Sequence, residues 1–434
     1  MLRMLLATVV LLTALGQSRP VVAGQLSIVY TGPLMGELEP CGCSLESDMG
    51  GIRRLASVVD RMRDAKPDLV LLSTGGLFGT AQAAHEVTNR FILEGIAALD
   101  YDGIGLLRRD FVHGLDALGA KPLPWVASNW TVSDSHAPQR LDVSKGRLIA
   151  AGSNRVAFLN WLAPSAVDKH SDAEGQSLVK EDLAILTRQL KALKTDSVFT
   201  IVGLSDAASA LNEMPLDLIN VLLLTAPDEM VHSPEKSGQT WILRAGTRGQ
   251  RLGQLSLKLT ASGNWTMLSH ETVDLDMTVA DARRLDPWYQ RYESALMEDY
   301  RVREQVAQKN QSQGQYVGNK TCGLCHSNQK AQWETTDHAR AYHSLTVVSK
   351  QFDANCVGCH VVGFGEPGGF SSADGKPDLR NVACEACHGP ATAHQLSGGT
   401  KPLTPVTIQV CTACHTDKQS PTFDAQKYWS RVVH

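Results

Sequence analysis

Four short motifs in the last quarter of the chain each place two thiols and an imidazole within five residues. They are Cys322-Gly-Leu-Cys325-His326, Cys356-Val-Gly-Cys359-His360, Cys384-Glu-Ala-Cys387-His388 and Cys411-Thr-Ala-Cys414-His415. At this spacing two thiols can add to the two vinyl groups of one haem while the next residue ligates its iron. Zinc knuckles also use Cys-x-x-Cys pairs, but zinc does not require a histidine directly after each pair. All four pairs have one. The pattern therefore predicts four covalently bound haem c groups, with His326, His360, His388 and His415 as proximal iron ligands.

A second axial ligand must come from elsewhere. Of the 14 histidines, four lie in the motifs and four more lie in the same region: His338, His343, His394 and His434. Four spare histidines for four haems predict bis-histidine irons, which are low-spin and suited to electron transfer rather than to chemistry. His338 and His343 are five residues apart, about 140° around a helix, so they would reach different haems. His343 is the one whose alternative is an ordinary surface histidine, and its haem would then be five-coordinate and open to a small ligand. His85, His113, His136, His170, His232 and His270 are scattered singly and read as surface or satisfied core residues.

The elements that must hold these groups are short. Residues 322–434 provide 113 positions for four haems, too few for an ordinary side-chain core, so the macrocycles must form the core. Gly- and Pro-rich stretches at 363–369 and 398–402 read as loops, and 327–345 is the best helix. At the other end, Arg3 precedes an apolar run over 4–12, and Val21-Val-Ala23 offers a cleavage point before Gly24. The run is shorter than the roughly 20 residues of a spanning helix, so residues 1–23 are expected to be a cleaved signal peptide. No transmembrane segment is expected after cleavage. The periplasm is the expected location, with the cell surface or exterior as alternatives. A net charge of −4 gives no polybasic surface for nucleic acid.

Residues 24–278 have another texture. A strand at 26–31, a helix at 52–65, a buried strand at 68–73 and a helix at 86–99 are followed by apolar runs at 125–129, 156–161, 197–202 and 216–224. This alternation predicts an α/β layered sandwich. Three segments at 240–244, 252–260 and 264–273 are expected to close it as antiparallel strands. Residues 279–315 read as a linker helix, with Trp288, Tyr292, Leu296 and Tyr300 at helical spacing packing between the two parts. Cys41 and Cys43 are the two cysteines left over. They suit a strained redox-active disulfide, a thiolate metal site or a structural role.

Residues 316–434 resemble the cytochrome c-554 family of tetrahaem electron carriers. The likeness rests on Tyr316-Val-Gly-Asn-Lys-Thr-Cys-Gly-Leu-Cys-His326, Trp333-Glu-Thr-Thr-Asp-His338, Cys384-Glu-Ala-Cys-His-Gly-Pro390 with His394, and the closing His434. The resemblance implies a small, mostly α and loop multihaem cytochrome c domain with closely packed haems. Residues 29–40, 50–55, 71–78, 101–106 and 127–129 resemble the 5'-nucleotidase-type calcineurin-like metallophosphatases. The resemblance implies a two-metal site, but the ligand positions hold Pro33, Met35, Gly76, Arg108, Arg109 and, late in the domain, Leu224-Thr-Ala-Pro227. Only Asn129 matches. A hydrolase needs carboxylate and imidazole ligands to activate water, so a pseudo-phosphatase is expected. The leading function is exported electron transfer between redox protein partners, with the first domain used for docking or assembly. The alternative is a haem oxidoreductase acting on a small nitrogen or sulfur species at one open iron.

Overall fold

The computed structural model describes residues 24–40, 48–79, 86–132, 141–162, 177–180, 182–193, 198–205, 211–309, 315–371, 376–416 and 419–434. The expected signal peptide, Cys41, Cys43, His85, His136 and His170 lie outside the described residues.

Among the described residues the first part is a sandwich of two mixed sheets with helices on the outside. One sheet runs, in spatial order, Trp265–Asp274, Arg251–Leu259, Gln25–Thr31, Val70–Ser73, Gly103–Gly105, Trp125–Val126 and Val143–Ser144. The other runs His232–Ser237, Thr240–Ala245, Val221–Thr225, Val198–Leu204, Asn154–Trp161 and Arg147–Ala151. The period-2 alternation of strands divides side chains between layers. Leu26, Ile28 and Tyr30 pack between the sheets with Phe158, Phe199 and Leu255. Val29 and Leu71 face the helices, against Ile52, Leu55 and Ile92. On the far side, Leu186 and Leu190 of helix Ala184–Leu193 cover Val202 and Leu222.

The expected closing trio is divided between the sheets. Arg251–Leu259 and Trp265–Asp274 extend the first sheet antiparallel. Thr240–Ala245 instead joins the second sheet, parallel to Val221–Thr225. The chain crosses from one sheet to the other through Gly246–Gln250, where Arg248 and Gly249 both adopt positive φ (62° and 59°). A left-handed pair makes the sharp turn that a run of strands cannot show in its hydrophobic pattern.

Helix Asp286–Lys309 joins the two parts. Pro287 follows its first residue, where the missing N–H costs nothing. Trp288, Tyr292 and Leu296 are buried in the core of the first part, and Trp288 Nε1 donates to Phe91 O at 3.1 Å. Tyr300, one turn further, belongs to the core of the second part and packs edge-on to Phe352. That second core holds few side chains, among them Tyr342, Val357, Val361 and Phe370. The expected helix over 327–345 is broken into Ser327–Glu334, a 3-10 turn Asp337–Arg340, and Ala341–Val347. Thr335 and Thr336 hydroxyls donate back to Gln332 O and Trp333 O, and Thr336 turns extended at ψ 161°. Such local hydroxyl bonding competes with helix continuation.

Candidate haem chamber

Each motif is a single helical turn. His326 N donates to Cys322 O at 3.0 Å, and His415 N to Cys411 O at 2.9 Å. A turn of this kind brings the two sulfurs and the imidazole to one side. The second motif rides on helix Ala354–His360, which Asp353 caps by accepting from Asn355 N at 2.9 Å. The third is fastened by buried Glu385, which accepts from Val317 N, Gly318 N and Ala391 N at 2.8–3.2 Å. Glu385 thereby ties the third motif to the segment leading into the first. Motifs one and three meet at Cys322 and Cys384, and motifs two and four at Cys359 and Cys414. Without haem, a hydrogen bond from the partner thiol pushes the thiols of Cys384 and Cys359 down.

All eight motif cysteines, the four motif histidines and His338, His343, His394 and His434 line one cavity of about 2410 Å³. Ordinary small-ligand pockets hold roughly 300–1,000 Å³. Leu324, Val348 and Val433 are 80%, 60% and 50% exposed and line the same space. Apolar side chains displayed inward, two sulfurs at every motif and a space of this size fit several covalently attached macrocycles.

Three histidine pairs span the cavity. His326 and His394 have ring centroids 6.2 Å apart, His338 and His415 6.2 Å, and His388 and His434 5.9 Å. A metal held between two imidazoles, with bonds of roughly 2 Å, sets their centroids about 6 Å apart. Backbone carbonyls fix several rings: Lys401 O at His394 Nδ1 (2.7 Å), Val432 O at His434 Nδ1 (3.0 Å) and Ala341 O at His360 Nδ1 (2.6 Å). Such contacts leave Nε2 as the lone-pair nitrogen. Burial pushes the pKa of His338, His388 and His415 down, with neighbouring His415 and His434 adding to the first two. Neutral imidazole is the form that ligates. His343 is exposed, and its Nδ1 lies 3.4 Å from Thr346 Oγ1. Among the described residues neither His343 nor His360 stacks on another histidine ring.

The first part contributes a wall to this cavity through Met35–Pro40, Thr88, Arg109, Arg248 and Tyr292. Across the junction Glu39 accepts from both Lys350 Nζ and Tyr289 Oη, and Arg53 lies over the Tyr289 ring at 3.9 Å. Burial lowers the Lys350 pKa, but Glu39 and Tyr289 more than reverse this.

The positions that resemble phosphatase ligands are occupied structurally. Met35 N and Gly36 N donate to Gly76 O and Leu77 O, both at 3.0 Å, so the loops after the first two strands are zipped together. A Cβ at Gly76 would sit 2.7 Å from Pro33 Cβ, at a backbone φ of +75°. Asp110, fully buried, accepts from Gly76 N, Leu77 N and Leu107 N at 2.7–2.9 Å. Burial raises its carboxyl to about 6 against those backbone bonds. Asn129 spends its amide on Leu162 N, Leu162 O and Lys180 O. Arg109 donates to Phe78 O at 3.4 Å. Among the described residues no three His, Cys, Asp or Glu side chains cluster to hold a metal. His113, His232 and His270 bond to Asn89, Asp228 and Tyr30. Asp110, Glu385, Lys350 and Arg248 carry much of this organisation, and nothing local in the sequence marks them.

The fold of the first part is that of the metallophosphatases, and the second part is a helical region of the cytochrome c554 type. Residues 321–389 match the family described as Cytochrome c554 and c-prime, which goes with covalently bound haem c. The cytochrome c-554 of Nitrosomonas europaea is 41% identical over an alignment covering 17% of this chain and 38% of that protein. The match thus spans about two fifths of that relative. Among solved structures, a putative 5'-nucleotidase from Staphylococcus aureus superposes with a TM-score of 0.51 at 15% identity, covering 63% of this chain and 59% of the other. The sulfate thiohydrolase SoxB of Thermus thermophilus gives 0.50 at 12% identity, covering 68% and 63%. At these identities the likeness is one of fold.

Proposed function

We propose that this chain is an exported tetrahaem electron carrier whose nucleotidase-like part is non-catalytic and serves docking. The observation that carries the reading is the set of three histidine pairs about 6 Å apart across a chamber lined by all eight motif thiols. His394, His338 and His434 would hold haem iron together with His326, His415 and His388. Bound haem supplies one-electron transfer at each iron. The protein holds neutral imidazoles in fixed orientation through the carbonyls behind them. Its location is the periplasm, reached through the signal peptide at 1–23, and its partners are redox proteins. No helix among the described residues is long and apolar enough to cross a membrane. The zipped loops and the Pro33–Gly76 contact support loss of hydrolysis in the first part.

A second reading has one supporting observation. His360 has no histidine stacked across from it among the described residues, so its iron is the candidate for binding a small nitrogen or sulfur species. A pyridine haemochrome assay with electron paramagnetic resonance on the purified protein separates the readings. Four haems with three low-spin irons and one high-spin iron are expected. Four low-spin irons would return His343 to a ligand role, and fewer than four haems would refute the tetrahaem reading.

A further inference from the structure

The wall that the first part presents to the chamber carries two arginines, one of them incompletely hydrogen-bonded. Arg109, Arg248, Glu37 and Glu39 are the charged side chains on it. Glu39 is neutralised by Lys350. Arg248 is flanked by two carboxylates, Glu37 at 3.7 Å from its Nε and Glu229 at 3.3 Å from its Nη1. Its Nε and Nη2 are buried without a hydrogen-bond partner. Buried unsatisfied donors are uncommon, and a charged one is the costliest to leave unmade. Arg248 also sits in the left-handed region at φ 62°, held there by the chain crossing between the sheets. Its neighbour Gly249 is packed on Leu34, the residue before Met35. Arg109 lines the same cavity and donates to Phe78 O at 3.4 Å.

We infer that Arg109 and Arg248 form a binding site for a singly charged oxyanion, opening on the haem chamber at the relic of the phosphatase cleft. The inference rests on the tetrahaem reading. Guanidinium forks bind carboxylate-like oxygens bidentately, and Arg109 stands at a position that resembles a phosphatase metal ligand. The same chemistry has two sources. One is a free oxyanion diffusing into the chamber, and the other is the carboxylate of a haem propionate anchored between the two parts.

The test uses the full-length, haem-loaded protein as wild type, R109Q, R248Q and the double variant, each with its haem count measured. Formate is the probe, titrated by calorimetry. If the site takes a free oxyanion, wild type binds one formate per chain, and each single variant weakens it roughly tenfold or more, the share of a lost charge-assisted bond. If a propionate fills it, formate does not bind, but the double variant shifts the midpoint potential of one haem negative. The lysine variants R109K and R248K keep the charge, so potentials stay while formate affinity still falls. They also serve if the glutamine variants load fewer than four haems. Wild type with four haems, no saturable formate binding and no potential shift in the double variant overturns the site. A wild-type count below four overturns the tetrahaem reading instead.

Discussion

Removing the terminal histidine isolates the proposed ligation from the fold. The His434 ring lies 5.9 Å from that of His388, with planes 46° apart. It is exposed, and its Nδ1 lies 3.0 Å from Val432 O in its own turn. The neighbouring backbone is held separately, through Gln332 Nε2 donating to Val433 O at 2.9 Å. His434→Ala should therefore cost no more than about 0.5 kcal/mol in packing, as for other surface substitutions. Its effect should fall on one iron in four. If His360 holds its iron without a histidine partner, the high-spin share should rise from one quarter to one half. Carbon monoxide taken up by the reduced protein should rise from one to two per chain. Resonance spectra and gas titration read both numbers on the same sample. An unchanged high-spin share would refute the His388–His434 pairing. Conversion of all four irons together would refute the premise that the ring is peripheral to the fold.

Asp110→Ala should destabilise the first part by about 3 kcal/mol or more, because two buried backbone N–H groups and one half-buried one lose their acceptor; urea unfolding checks this. The folded carboxyl, at about 6 against 3.8, titrates above its unfolded value, so its contribution is fully present below about 3.8 and lost as pH rises through about 6. Asp110→Asn should abolish that slope, worth roughly 3 kcal/mol at 1.36 kcal/mol per unit, in urea midpoints taken from pH 4 to 7. Lys350→Met leaves Glu39 partly buried without its cation and should weaken the junction by about 3 kcal/mol, seen as faster proteolysis between the two parts. Cys384→Ala with Cys387→Ala should lose one haem and the fold of the second part, by mass and circular dichroism. Divalent metals should give no phosphoester hydrolysis above background; hydrolysis abolished by Asn129→Ala would overturn the non-catalytic reading.

The covalent chemistry was legible because each motif is contained in five residues of one helical turn. The sandwich was legible because alternation separates Leu26, Ile28 and Tyr30 from Val29. The histidine pairs were not, since His326 and His394 meet through tertiary folding that no local spacing encodes. His338 and His343 read as sharing one helix, but His338 lies in the 3-10 turn Asp337–Arg340 and His343 in the separate helix Ala341–Val347. Asn129 matched a ligand position, yet its amide is consumed by backbone. Arg248 was not legible because its setting depends on a left-handed crossing between sheets, nor was Asp110, because two of its three donors, Gly76 N and Leu77 N, come from a distant loop.

Helix Asp286–Lys309 inserts Leu296 into one core and Tyr300 into the other within little more than one turn. The two parts are therefore phased like gears on one axle rather than hung on a tether. One alanine inserted between those residues would advance the second part by about 1.5 Å and rotate it by about 100°. Either core, but not both, could then keep its aromatic key. The angular setting between the relic cleft and the haem chamber is in this sense written into the residue count of a single helix.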